Sequence, residues 1–158
     1  LGSILDLGCG TGLFGNEIRG NCENLEGIDL SKFMLNRAQH KNIYNKLHQA
    51  DISYHLANAR LDFDYFVAAD VFVYIGDLSE IFRLVRSNNQ RRGKLVFSTE
   101  HLEGRGFQLL NTGRYAHSQH YVEQLCAENN YRLTYFSTTN LRKDRGAVIV
   151  GGVYLLDF

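Results

Sequence analysis

The chain contains no proline among its 158 residues. This absence argues against a long interdomain linker, because such linkers are commonly rich in proline. No apolar run approaches the roughly 20 residues that a bilayer-spanning helix needs, and no basic segment followed by an apolar one opens the chain as a signal peptide would. We therefore expect a single-domain cytoplasmic protein that has no membrane as its partner.

The sequence also lacks an excess of either charge sign and lacks closely spaced cysteine pairs. The sequence has 17 basic and 17 acidic residues and a formal net charge of +0, so no long-range field attracts nucleic acid. Its three cysteines, Cys9, Cys22 and Cys126, are far apart and form no C-x-x-C pair. We expect neither a metal site nor a disulfide, and a reducing compartment is the simpler assumption.

The patterns that are present alternate between strand and helix, which is typical of a sheet covered on both faces. Strands are predicted near 3–7, 25–29, 45–49, 64–70, 94–99, 132–139 and 146–156. Helices are predicted near 12–19, 32–40, 53–58, 77–87 and 118–129, with Ser31, Asp77 and Ser118 as candidate N-caps. The prediction is a doubly wound α/β fold with a mostly parallel seven-stranded sheet, a C-terminal antiparallel hairpin and helices on both faces.

The length of the chain fits one domain with a real core. Leu1 lies almost at the start of the first predicted strand. We therefore expect residues 1–158 to form a single core domain from which N-terminal residues are missing.

Residues 4–12, Ile-Leu-Asp-Leu-Gly-Cys-Gly-Thr-Gly, place alternating glycines directly after the first strand. Gly8 and Gly10 allow a tight turn without a Cβ, so a ligand can lie against bare backbone. The helix expected near Gly12 directs its unpaired N–H groups toward the same crevice. This arrangement predicts a nucleotide-like ligand at the end of the first strand.

The glycine spacing separates the candidate ligands. A dinucleotide-binding turn reads G-x-G-x-x-G, and Leu13 stands where its third glycine belongs. S-adenosylmethionine (SAM) has no phosphate and offers an ammonium and a sulfonium, which suit the carboxylate of Asp6 better than a pyrophosphate does. An NAD-linked oxidoreductase is therefore disfavoured, and the segment resembles motif I of the class I SAM-dependent methyltransferases.

Further acids follow the later strands. Asp29 ends the second strand, at the edge of the sheet where a carboxylate can accept both ribose hydroxyls. Asp51 ends the third strand and can accept the adenine amino group, with Ile52 packing on the ring, although Asp51 could also cap the next helix. Asp70 closes the fourth strand near the expected sulfonium and ammonium, where Tyr74 could line the donor methyl.

The segment Asp29-Leu30-Ser31-Lys32-Phe33-Met34-Leu35 is similar to the methyltransferase segment that follows the ribose-binding acid. The resemblance implies that Leu30 and Met34 contact the adenine, although Met34 could equally belong to the core. It extends over nearly the whole chain and implies a Rossmann-like fold that binds SAM and releases S-adenosylhomocysteine. The implied cofactor-binding residues are Asp6, Gly8, Gly10, Gly12, Asp29, Leu30, Met34, Asp51, Ile52, Asp70 and Tyr74.

Two later segments, 74–78 (Tyr-Ile-Gly-Asp-Leu) and 112–118 (Thr-Gly-Arg-Tyr-Ala-His-Ser), narrow the resemblance. They are similar to those of a bacterial branch of predicted methyltransferases that are often associated with tetratricopeptide repeats. That resemblance implies a tetratricopeptide or helical region on the N-terminal side, outside this chain.

Candidate residues for the acceptor site lie after the fifth strand and around the start of the last helix. Glu100, Tyr115 and His117 are the predicted catalytic residues, with His117 as a general base and Tyr115 orienting the attacking group. Arg114 could hold a substrate carboxylate, and Tyr121 is a second substrate candidate. Methyl transfer can also proceed by alignment alone, with no dedicated base.

The expected function is methyl transfer from SAM to a small-molecule acceptor through an oxygen or nitrogen nucleophile. The alternative is a non-catalytic SAM-binding or partner-binding regulatory module that keeps the pocket without turnover.

Overall fold

The computed structural model describes residues 1–144 and 146–158. Within these residues nine strands form one sheet. They are β1 (Ser3–Leu7), β2 (Asn24–Asp29), β3 (Lys46–Gln49), β4 (Tyr65–Ala68), β5 (Lys94–Leu102), β6 (Phe107–Leu109), β7 (Tyr115–Ser118), β8 (Arg132–Asp144) and β9 (Ala147–Asp157).

The same residues contain five α-helices, which are α1 (Leu13–Ile18), α2 (Lys32–Gln39), α3 (Ile52–Asn58), α4 (Ser79–Asn88) and α5 (Gln119–Asn129). Ser31 and Ser118 are confirmed as N-caps of α2 and α5, because each side chain accepts a backbone N–H from the first turn. Asp77 instead lies one residue before the N-cap of α4 and accepts the N–H of Ser79 over 2.9 Å. None of these helices is long and apolar enough to cross a membrane.

The first five strands run parallel in the order β3-β2-β1-β4-β5. The chain moves outward from β1 to β2 and β3, and then returns to place β4 and β5 on the other side of β1. The direction of winding therefore reverses between β1 and β4, and ligands bind at such a point, outside the carboxyl ends of the strands. The predicted doubly wound Rossmann-like class is confirmed.

The predicted C-terminal antiparallel hairpin is also confirmed. β9 runs antiparallel to β5, from the pair Lys94 and Asp157 to the pair Glu100 and Gly151. β8 pairs with β9 along its outer side. The pairing with β9 holds β5 in place, and Glu100 lies near the carboxyl end of β5.

The sheet has nine strands instead of the predicted seven, because β6 and β7 are three and four residues long. Strands this short contain too few residues to show the alternation of apolar and polar side chains from which a strand is predicted. Glu100 of β5 pairs with Gly151 of β9 on one side of the strand and with Ala116 of β7 on the other side. β7 therefore occupies the edge of β5 that β4 leaves after Ala68. The hairpin of β6 and β7 stands beside the carboxyl ends of β4 and β5.

Aromatic residues fill the core between the sheet and its helices. Phe97 of β5 stacks on Tyr154 of β9, with ring centroids 4.8 Å apart and an interplanar angle of 11°. Phe82 of α4 meets Phe97 edge to face at 5.7 Å. Such pairs stabilise the fold beyond their buried area, and here they hold β5 and β9 in place under the candidate site.

Candidate active site

The turn after β1 presents bare backbone at the reversal point of the sheet. Gly8, Gly10 and Gly12 have φ angles of 69°, 54° and 76°, in the left-handed region that other residues rarely adopt. A Cβ on Gly10 would have no heavy atom within 4 Å, whereas a Cβ on Gly8 would collide with the Val71 side chain. Gly10 therefore faces open space, and Gly8 lets the segment after β4 approach the turn.

Hydrogen bonds hold this turn in place. The N–H of Cys9 donates to the carbonyl of Ile28 over 2.8 Å, and the N–H of Gly12 donates to the carbonyl of Cys9 over 2.9 Å. The ammonium of Lys41 donates to the carbonyl of Gly12 over 3.2 Å. A ligand that binds here does not have to order the backbone, which favours affinity.

Asp29 is fixed at the end of β2 by two backbone donors. Its Oδ2 accepts the N–H of Gly10, and its Oδ1 accepts the N–H of Ser31, both over 2.8 Å. Each carboxylate oxygen keeps further acceptor capacity, and the side chain is only half-buried. The structure thus brings the predicted ribose-binding acid and the glycine turn together in one site.

Exposed apolar side chains lie next to Asp29. Leu30 is 70% exposed and Met34 is 38% exposed. Met34 is therefore not a core residue, and both side chains are available to cover a flat ring. Their contact with adenine stays a prediction.

Asp51 lies close to Asp29, because the N–H of Ala50 donates to the carbonyl of Asp29 over 3.2 Å. Its Oδ1 accepts the N–H of Tyr54 over 3.0 Å and caps α3. The capping role is confirmed, and the adenine role remains a prediction that this geometry allows. Ile52 is 9% exposed, so little of its surface is available to a ring.

Asp6 lies beneath the turn, and its burial argues against its prediction as a direct cofactor ligand. The residue is 1% exposed, and its Oδ2 accepts the hydroxyl of Tyr44 over 2.6 Å. A strand side chain projects from the face of the sheet, where packing covers it. Burial raises the pKa of Asp6 to about 6, which the Tyr44 hydrogen bond opposes and the charge of Asp29 reinforces.

Asp70 and Tyr74 lie past the end of β4, where the sequence predicts them. Asp70 has a φ of 56°, and its N–H donates to the hydroxyl of Ser98 over 3.0 Å. Residues with side chains rarely adopt this conformation, and those that do are concentrated at functional sites. Tyr74 ends a short 3-10 helix (Phe72–Tyr74) and is 61% exposed.

Arg114 joins Tyr74 and Glu100 into one cluster at the mouth of the site. Its guanidinium lies 3.8 Å from Oε1 of Glu100, 3.5 Å from the Tyr74 hydroxyl and 5.7 Å from the centre of the Tyr74 ring. Burial lowers the pKa of Arg114, but Tyr74, Asp70 and Glu100 outweigh this and raise it. Neither polar contact is a short hydrogen bond, so this cation remains available to an anionic ligand.

His117 is fully buried, which argues against its prediction as the general base. Its Nε2 lies 2.8 Å from the carbonyl oxygen of Gly76. A carbonyl can only accept, so Nε2 carries the proton. Burial lowers the pKa of this histidine, against the effect of the Gly76 and Ile75 carbonyls. Its ring stacks on Tyr121 at 5.8 Å.

Tyr121 is 9% exposed, and its hydroxyl donates to Asp77 and accepts the N–H of Leu78, both over 2.8 Å. It anchors the start of α4, which argues against its prediction as a substrate residue. Tyr115 is half-buried, with its ring against Gly76. No sequence pattern reveals which side of a short strand such as β7 faces the core.

Tyr44 is the residue of this site that sequence analysis misses. It lies in the loop between α2 and β3, where a single tyrosine gives no pattern to read. Among the described residues, no group of three or more His, Cys, Asp or Glu side chains is arranged to hold a metal ion.

Comparison with known families agrees with this geometry. The family described as "Methyltransferase domain" matches residues 2–147. No curated protein sequence matches the chain.

Several solved structures share the fold. Magnesium protoporphyrin IX methyltransferase from Synechocystis PCC 6803, with bound SAM, has 18% identity and a TM-score of 0.73 over 98% of this chain and 69% of that chain. A SAM-dependent methyltransferase from Clostridium acetobutylicum has 18% identity and a TM-score of 0.76 over 99% and 84%. Another from Mesorhizobium loti has 19% identity and a TM-score of 0.74 over 99% and 90%.

Proposed function

Because this chain belongs to the methyltransferase domain family, we propose that it transfers a methyl group from SAM to a small-molecule acceptor and releases S-adenosylhomocysteine. The observation that carries the proposal is the Asp29 carboxylate, which is held between the N–H groups of Gly10 and Ser31 over 2.8 Å each. A carboxylate fixed in this way beside open backbone supports the binding of ribose hydroxyls, and the cradle fits a ligand that has no phosphate.

The residues around this cradle have separate roles in the proposal. Asp29 binds the ribose, and Asp51 accepts the adenine amino group through the carboxylate that also caps α3. Leu30 and Met34 cover the adenine ring. Asp70 lies past the end of β4 and faces the positive charges of the ligand.

SAM supplies an electrophilic methyl group on its sulfonium, and transfer breaks the carbon–sulfur bond with the electron pair remaining on sulfur. The protein has to align the acceptor with that bond, and alignment alone is a large part of catalysis. With His117 buried, we propose that the acceptor's oxygen or nitrogen gives up its proton to solvent. Glu100, the carboxylate among the predicted catalytic residues, is only 3% exposed and lies 3.8 Å from the guanidinium of Arg114, so its role in this proposal is to hold Arg114 in place.

We further propose that the acceptor carries a carboxylate or similar anion. Arg114 is 26% exposed at its side chain and has two long polar contacts, so its N–H groups can form a bidentate pair with such a group. Tyr74 presents an exposed ring beside it. This cluster supports an acceptor with a planar or apolar body and an anionic group.

A cytoplasmic location and a tetratricopeptide or helical region on the N-terminal side belong to the same proposal. The N-terminal region is supported only by the similarity of residues 74–78 and 112–118 to the bacterial branch named above. The cytoplasmic location is supported by the three free cysteines, which favour a reducing compartment.

A second candidate function is a SAM-binding regulatory module without turnover. The burial of His117 and Tyr121 favours it, because two side chains expected to act on the acceptor are committed to packing. Screening acceptor classes for formation of S-adenosylhomocysteine separates the two functions. Turnover with a carboxylate-bearing acceptor supports the enzyme, whereas SAM binding without turnover on any acceptor class supports the module.

A further inference from the structure

One aromatic ring fills the space beneath the glycine turn. A Cβ on Gly12 would lie 3.0 Å from Cε2 of Tyr44, and a Cβ on Gly27 would lie 2.9 Å from its Cε1. A Cβ on Gly15 would collide with the Tyr44 hydroxyl. Glycines from the turn, from β2 and from α1 therefore leave room for the same ring, and the position of the turn depends on it.

The hydroxyl of this tyrosine bonds to a buried carboxylate. It donates to Oδ2 of Asp6 over 2.6 Å, and Asp6 is 1% exposed. Hydrogen bonds to a buried carboxylate are stronger than those between neutral groups. Removal of the hydroxyl would leave Asp6 without this donor in a place that water barely reaches.

The charged and titratable groups that face Asp6 come from three segments. Tyr44 approaches from the loop before β3, Asp29 from the end of β2, and the Cys9 thiol from the turn itself. Lys41 binds the carbonyl of Gly12 at the start of α1. Asp29 is the carboxylate proposed to hold the ribose, so Asp6 lies within electrostatic reach of the ligand site.

We infer that Tyr44 is a positioning residue for SAM, because its ring supports the glycine turn and its hydroxyl donates to the Asp6 carboxylate beneath that turn. This inference rests on the proposed function. Since SAM carries an ammonium and a sulfonium, it binds more tightly when Asp6 is ionised than when it is neutral.

A specific pH dependence follows. In the free protein the pKa of Asp6 is about 6, so SAM affinity rises as pH increases through that region. The Tyr44 hydrogen bond lowers this pKa, and its loss moves the rise to higher pH. A tyrosine that only packed would change the affinity by the same factor at every pH.

Calorimetric titration of SAM between pH 5 and pH 8 tests the inference on wild type, Tyr44→Phe and Asp6→Asn. We expect the rise in affinity to shift upward by about 1–2 pH units in Tyr44→Phe, the equivalent of one hydrogen bond to a charged group. Asp6→Asn should lose the rise in SAM affinity near pH 6. Any pH dependence of affinity that remains in this variant comes from titration of SAM itself. Tyr135→Phe, an exposed tyrosine on β8, is the matched control and should follow the wild type.

A second readout does not need the Tyr44 variant. Wild type should release protons on binding SAM at pH 6, as measured in two buffers of different ionisation enthalpy, and Asp6→Asn should release fewer. A Tyr44→Phe curve that overlays wild type, or a constant loss at every pH, overturns the inference while leaving the proposed function intact. Absence of SAM binding by wild type overturns both.

Discussion

The Nε2 of His117 donates to the carbonyl oxygen of Gly76 over 2.8 Å and ties β7 to the segment after β4. This bond joins the two parts of the chain that border the proposed acceptor site. The histidine therefore supports the wall of the proposed site from within the core, and its buried ring does not contact the acceptor in this account.

We predict that His117→Ala destabilises the protein by about 2–4 kcal/mol, the range for removing a large buried side chain. Turnover of the folded variant should stay within tenfold of wild type, because a lost general base would cost roughly 10²–10⁴-fold. Thermal unfolding and turnover on an acceptor found by screening measure the two effects. His120→Ala, an exposed histidine of α5, is the control. A hundredfold loss of rate at unchanged stability would restore His117 as the base.

Asp29→Ala should weaken SAM binding by about 1.5–3 kcal/mol, the scale of a hydrogen bond to a charged group. The variant loses the proposed ribose acceptor and also frees the N–H groups of Gly10 and Ser31. Calorimetry at neutral pH gives the affinity.

Glu23→Ala makes the same change of charge just before the amino end of β2, away from the crevice, and should leave the affinity unchanged. Equal SAM affinity in Asp29→Ala and Glu23→Ala would remove Asp29 from the site.

Asp6 should make stability fall as pH rises. Its pKa in the folded protein is about 6 against 3.8 for the free side chain, so between these values the folded state holds a proton that the unfolded state releases. The stabilisation is complete below pH 4 and lost as pH rises through 6, by about 3 kcal/mol. Denaturant unfolding of wild type and Asp6→Asn from pH 4 to pH 7 measures it. Parallel curves for the two proteins would contradict the burial of a titrating Asp6.

Arg114→Lys should lower kcat/KM for a carboxylate-bearing acceptor by roughly tenfold or more, because lysine cannot form the bidentate pair. SAM affinity should not change. Arg83→Lys, on the exposed surface of α4, is the matched control. If Arg114→Lys retains full kcat/KM, the anion of the acceptor is held elsewhere or absent.

The glycine turn and Asp29 can be predicted from the sequence because their geometry is local. The turn needs positive φ at alternating positions, and Asp29 follows directly from the end of a strand. The five parallel strands and the C-terminal hairpin can be predicted for a similar reason, since each gives its own apolar pattern.

The roles of His117, Tyr121 and Asp6 could not be predicted, because each depends on a partner far along the chain. His117 and Gly76 are 41 residues apart, Tyr121 and Asp77 are 44 apart, and Tyr44 and Asp6 are 38 apart. Such contacts decide whether a polar side chain points to solvent or to the core. The sequence shows the same residue type whether the side chain is exposed or buried.

Titration of SAM into wild type and Gly10→Ala tests most directly the central claim that SAM lies against the glycine turn. The new Cβ meets no protein atom within 4 Å, so the variant should fold, with a strain of about 1–2 kcal/mol from its φ of 54°. Gly146→Ala, at the hairpin tip with a φ of 84° and equally open space, is the control for that strain. We predict that SAM binds wild type and Gly146→Ala alike, and that its Kd for Gly10→Ala rises by about tenfold or more, at least 1.4 kcal/mol. An unchanged Kd in folded Gly10→Ala would contradict the account.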